Sequence, residues 1–124
     1  MSSPLKFGRS SGKYHAKKIE AEGYRFDSKA EFERYVQLKI MKKAWKIRRL
    51  QVHPRFELQE KFRKNNQWHR AITYEADFMY EVVESGHQVV EDVKGVKTEV
   101  FRIKQKLFEK KYENLTLTII NVKK

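Results

Sequence analysis

The sequence predicts an α/β fold in which a mixed central sheet is flanked by helices, with elements in the order αβββαβ. Three observations carry this. Apolar residues recur at helical spacing between Ser28 and Trp45, β-branched and aromatic segments follow from Arg55 to Lys94, and a second helical stretch leads into an uncharged strand at the end of the chain. A strand, a helix and another strand in succession make a crossover unit, so the strand at Val89 and the final strand are expected to be parallel with a right-handed connection.

Residues 1–18 carry Lys6, Arg9, Lys13, Lys17 and Lys18 without a carboxylate, among serines and glycines, and read as a flexible basic arm. Residues 19–124 are expected to form one domain. Gly23 to Asp27 is a short extended stretch. The first helix follows from Ser28, with Phe32, Val36, Ile40 and Ala44 on its inner face, flanked by Tyr35, Leu38 and Met41. Ser28-Lys29-Ala30-Glu31 has the form of a capping box. Three extended segments come next: Arg55 to Phe62, Trp68 to Val83 with a bend near its middle, and Gln88 to Lys94. Lys64-Asn65-Asn66-Gln67 and Glu84-Ser85-Gly86 separate them, which makes an antiparallel meander. The second helix starts near Thr98, with Val100, Ile103, Leu107 and Phe108 as its core stripe. Leu115 to Val122 closes the chain as a strand.

A chain of 124 residues supports a single hydrophobic core. A net charge of +12 calls for a polyanionic partner, and DNA, RNA or an anionic membrane surface would each satisfy it. The lack of cysteine excludes disulfides and thiolate metal sites and fits a reducing compartment. No apolar run reaches the length of a membrane span and no secretory signal is evident, so the expected location is the cytoplasm. His15, His53, His69 and His87 are scattered without zinc-ligand spacing and read as ordinary histidines.

The chemistry concentrates in Val89-Val90-Glu91-Asp92-Val93-Lys94-Gly95. Side chains alternate along a strand, so Asp92 and Lys94 share one face while Glu91 and Val93 take the other. Asp77 lies in the preceding strand, and a loop with Ser85 and Gly86 can fold the two strands together so that both carboxylates meet. Carboxylates in strands otherwise this apolar are costly unless they are paired or bind a metal, which points to a phosphodiesterase site. Each residue also has a plainer reading: a surface ion pair for Asp92 and Lys94, a strand edge for Asp77, a helix cap for Glu31. Trp68 and Tyr74 lie close to the cations Lys61, Arg63, Lys64 and Arg70. Stacking on bases and packing on the sheet are both open to them.

Through Phe26-Asp27-Ser28-Lys29-Ala30-Glu31, Pro54-Arg55-Phe56-Glu57-Leu58, Tyr74 to Phe78 and Val90 to Gly95, the chain resembles the PD-(D/E)xK nuclease superfamily. Within that superfamily it looks like a small phage-encoded family. Transposon endonuclease subunits and archaeal-type Holliday junction resolvases share the same core. The resemblance implies a restriction-endonuclease-like core and a metal-dependent endonuclease that hydrolyses DNA to 5′-phosphate and 3′-hydroxyl ends, in phage DNA processing or recombination in the host cytoplasm. It implies that Asp77, Asp92 and the Val93 carbonyl bind Mg²⁺ or Mn²⁺, that Glu31 completes the metal shell, and that Lys94 orients the attacking water. DNA would be held by Lys13, Lys17, Lys18, Arg63, Lys64, Arg70, Lys97 and Arg102, with Lys106 or Gln105 facing the cleft. Ala76 departs from the family pattern, which often has proline before the aspartate. Two alternatives stand beside this reading: a structure-selective Holliday junction resolvase, which requires a symmetric homodimer, and a non-catalytic nucleic-acid-binding module.

Overall fold

The computed structural model describes residues 18–122. Most of the basic arm, including Lys13 and Lys17, lies outside the described residues. The described residues divide into two compact units, one ending at Gln37 and the other beginning at Leu38, and the division falls within the first helix.

In the first unit, β1 (Ile19–Ala21) and β2 (Tyr24–Phe26) form an antiparallel hairpin. Its two turn residues, Glu22 and Gly23, both have positive φ, at 52° and 84°, the pattern of a tight turn whose twist matches the strands it joins. The helix α1 (Lys29–Lys43) begins after Ser28, whose Oγ accepts the Glu31 N–H at 3.1 Å. Phe26 is fully buried, with its ring 4.9 Å from that of Tyr35 and 5.7 Å from that of Phe32. The inner face of α1 is turned from the predicted one. Tyr35 and Leu38 are buried, whereas Val36, Ile40 and Ala44 are exposed. Apolar residues surround most of this helix, so periodicity alone leaves its phase open, and the aromatic contact with Phe26 selects Tyr35.

In the second unit α1 ends with Trp45 in the left-handed region at φ 61°. Lys46 N–H donates to the Met41 carbonyl at 2.9 Å and Trp45 N–H to the Lys42 carbonyl at 3.1 Å, the paired bonds of a Schellman cap. The principal sheet is four-stranded, in the order β10 (Thr116–Asn121), β9 (Gln88–Lys94), β8 (Phe78–Val82), β3 (Ile47–Val52). Neighbouring strands are antiparallel except β9 and β10, which are parallel as the crossover requires. Between β3 and β8 the chain makes two ribbons. β4 (Arg55–Gln59) pairs with β7 (Ile72–Glu75), and β5 (Phe62–Lys64) pairs with β6 (Gln67–His69).

This arrangement corrects the predicted meander. Its first strand in the sheet is β3, which the sequence pattern does not mark, and the segment from Arg55 instead forms a ribbon with β7. The reason is a bulge: β3 shifts register between Arg48 and Gln51, with Arg49 at φ 58°, which breaks the alternation that signals a strand.

The core of this unit lies between the face of β9 that carries Val90 and the helix α2 (Glu99–Lys111), and contains Phe56, Leu58, Tyr74, Ala76, Val90, Phe101 and Phe108. Thr98 caps α2, its Oγ1 accepting the Phe101 N–H at 3.1 Å. The predicted stripe is overturned in part: Phe101 and Phe108 are 6% and 0% exposed, but Val100 and Ile103 are 62% and 58% exposed. The phenyl rings bring more apolar area than the aliphatic side chains and fix the helix about its axis. Phe108 alone meets Phe56, Tyr74 and Tyr112 at 5.0, 5.7 and 5.1 Å.

Candidate functional site

β9 is paired along both edges, and in its middle the side chains of Val90, Glu91 and Asp92 are buried on both faces of the sheet. Asp92 is 2% exposed, and Glu91, pointing the other way, is buried as well. Each carboxylate meets a tyrosine: Tyr74 Oη donates to Asp92 Oδ2, and Tyr80 Oη donates to Glu91 Oε2. Lys94 Nζ lies 3.5 Å from Asp92 Oδ1 and 4.5 Å from the centre of the Phe101 ring. Asp92 and Lys94 therefore share a face, as the alternation of the strand predicts. They are not a surface ion pair, because one partner is buried and the other only partly exposed.

Asp77 sits just before β8. Its N–H donates to the Glu91 carbonyl at 3.0 Å, and its Oδ2 accepts the Val93 N–H at 2.7 Å. The aspartate thus takes the place of a ladder partner where the pairing of β8 and β9 ends, and this anchors its carboxylate beside Asp92 and Val93. The preceding Ala76 is fully buried and donates its N–H to the Pro54 carbonyl at 3.0 Å. A proline could not make that bond, which is a structural reason for alanine at this position.

The sequence marks His53 as an ordinary histidine, yet one of its ring nitrogens and an Asp77 carboxylate oxygen lie within 4.8 Å of one another. Its backbone is left-handed at φ 57° and is held there by an N–H bond of 2.9 Å to the Asp77 carbonyl. A non-glycine residue in this region costs about 1–2 kcal/mol, and such residues cluster at functional sites. Nothing in the spacing of the histidines distinguishes His53. Only recognition of β3, which delivers it to Asp77, would have singled it out.

The two acidic side chains act on Tyr74 together. Burial raises its hydroxyl pKa well above the ordinary tyrosine value, and the hydrogen bond to Asp92 and the charges of Asp92 and Asp77 raise it further. The phenol therefore remains a proton donor to Asp92. Tyr74→Phe would leave the buried carboxylate with Lys94 as its remaining partner, at an expected cost of about 1–3 kcal/mol of stability. Urea unfolding at neutral pH measures this. The control Tyr112→Phe removes a hydroxyl that donates to the Glu57 carbonyl in an exposed position, and should cost about 1 kcal/mol or less.

The remaining predicted residues are distributed more widely. Glu31, in the first unit, is buried, and its Oε1 accepts the Asp27 N–H at 2.8 Å, one residue earlier than the ideal capping box. Lys18 is exposed and lies 3.8 Å from Asp27. Arg63 and Lys64 lie on β5, Arg70 follows β6, Lys97 precedes the Thr98 cap and Arg102 lies near the start of α2, all exposed. Lys106 is exposed and Gln105 half-buried. Of the aromatic pair left open by the sequence, Tyr74 is a core residue and Trp68 is on the surface. No described helix is long and apolar enough to cross a membrane.

The fold and site together define a mixed α/β protein that gathers acidic residues and a lysine at the end of a central strand. Over residues 11–124 the chain matches the model of a family described as a protein of unknown function, DUF1064, and it belongs to that family. No curated protein and no solved structure matches it.

Proposed function

We propose that the protein is a metal-dependent endonuclease that hydrolyses DNA phosphodiester bonds. The observation that carries this reading is the placement of the Asp92–Lys94 pair on β9 beside an Asp77 carboxylate anchored to the Val93 N–H. The series α1, β3, β8, β9, α2, β10 also supports it, since it follows the αβββαβ order of the superfamily that the sequence resembles.

The Asp77 carboxylate and the His53 imidazole beside it suit a divalent cation, a combination that favours Mn²⁺ at least as well as Mg²⁺, and Asp92 joins them through the resemblance. The Val93 carbonyl and Glu31 join this set through the resemblance. When bound, such a cation would make a coordinated water more acidic and offset charge on the phosphate. The residues of the chain do the rest. The Val93 N–H fixes Asp77, Tyr74 fixes Asp92, and the Lys94 ammonium would orient water and offset negative charge as the phosphate reacts. The exposed cations supply attraction to the polyanion without reading its sequence.

A second reading has an observation of its own. Tyr74 and Lys94 already satisfy Asp92, as they would in a nucleic-acid-binding module whose acidic residues are structural. The experiment is nicking of supercoiled plasmid with Mn²⁺ or Mg²⁺ and with chelator. Nicking that requires the cation is expected, and binding without nicking under either cation favours the module. Repeating the assay on four-way junctions distinguishes a general endonuclease from a resolvase, which would cut them in symmetric pairs as a homodimer.

A further inference from the structure

The β5–β6 ribbon pairs with no other strand among the described residues, and every residue from Lys61 to Trp68 is exposed. Asn65 and Asn66, at φ 53° and 59°, form a two-residue turn that fixes its register. Cross-strand partners share a face, so Phe62 lies with His69 and Arg63 with Trp68. The first pair is closed on itself, its rings stacked at 4.6 Å and 14°. The second face presents an indole flanked by cations, with Lys61 Nζ 5.4 Å and Arg63 Cζ 5.8 Å from the ring centre. Trp68 is 59% exposed. From Lys61 to Tyr74 the chain has the cations Lys61, Arg63, Lys64 and Arg70 and no carboxylate.

An indole left in water on a ribbon with no core of its own forgoes the free energy of burial, while the cations around it repel a cationic partner and are costly to desolvate against an apolar one. The complementary ligand has flat aromatic faces joined by anions. Paired DNA fits poorly, because its bases are stacked on one another, whereas unpaired bases offer a free face. We propose that this ribbon binds unpaired bases of single-stranded or branched DNA, with Trp68 stacking on a base while Lys61 and Arg63 engage the adjoining phosphates. The proposal rests on DNA as the partner and names the kind of DNA that the endonuclease engages.

The Trp45→Phe variant leaves Trp68 as the sole tryptophan, and Trp45 is itself exposed. In chelator, so that no cleavage takes place, this variant is titrated with oligothymidylate and with a fully paired DNA hairpin closed by a non-nucleotide linker. Trp68 emission should be quenched strongly by the oligothymidylate and weakly by the duplex. In parallel, Trp68→Ala in the otherwise unaltered chain should lose about 10-fold or more in affinity for oligothymidylate, should change by less than about 2-fold for the duplex, and should be largely rescued by Trp68→Phe. Unaltered affinity for oligothymidylate, or an equal loss for both DNAs, overturns the proposal. Because no metal is present, a failure of nicking leaves these results intact, and a failure here leaves metal-dependent nicking intact.

Discussion

Asp77→Asn and Asp92→Asn are each expected to reduce metal-dependent nicking by about 100-fold or more, since loss of an outer-shell partner of a metal site already costs about 10–100-fold. Both substitutions remove a charge at nearly constant shape. In Asp77→Asn the new amide oxygen can still accept the Val93 N–H, and in Asp92→Asn it can still accept the Tyr74 hydroxyl, so folding should survive. Stability is expected to stay within about 1–2 kcal/mol of the wild type, and affinity for DNA in chelator close to unaltered. Nicking rates under saturating Mn²⁺, with urea unfolding of the same samples, test the expectation. Wild-type rates in both variants would return Asp77 and Asp92 to structural roles.

Phe108→Ala is expected to produce the largest loss of stability, about 3–5 kcal/mol. The ring is fully buried against Phe56, Tyr74 and Tyr112, and its removal opens a cavity that these rigid rings cannot readily fill. A domain of this size is stabilised by only about 5–15 kcal/mol, so a large part of the margin is at stake. Ile103→Ala, on the same helix, should change stability by about 0.5 kcal/mol or less, because its side chain is exposed. The sequence pattern predicts comparable losses for the two variants, so denaturant midpoints measured side by side also decide which face of α2 is buried.

The pattern of residues was sufficient for several features. Both helices, the parallel crossover from β9 to β10 and the shared face of Asp92 and Lys94 follow from periods of 3.6 and 2, which are local properties of the backbone. The Ser28 cap and the helix start at Thr98 are legible for the same reason, since an N-cap side chain bonds a backbone N–H only two or three positions further on.

Other features were settled by residues distant in sequence. The bulge at Arg49 hid β3, and with β3 hidden, neither the left-handed turn at His53 nor its approach to Asp77 could be anticipated. Helix phase was open wherever apolar residues surround the axis; contact with Phe26 settled it in α1, and the aromatic core settled it in α2. Tyr74 and Trp68 looked equivalent as aromatic residues beside a basic stretch, and they diverged only because Tyr74 follows the turn back into the β4–β7 ribbon beneath α2 while Trp68 stays on the unsupported β5–β6 ribbon. The order of residues is enough to say which chemical groups this protein carries and which of them share a face of a strand, because alternation acts over a few residues. Only the tertiary structure decided which of those groups meet and which are withdrawn from water, because burial depends on elements brought together from far along the chain.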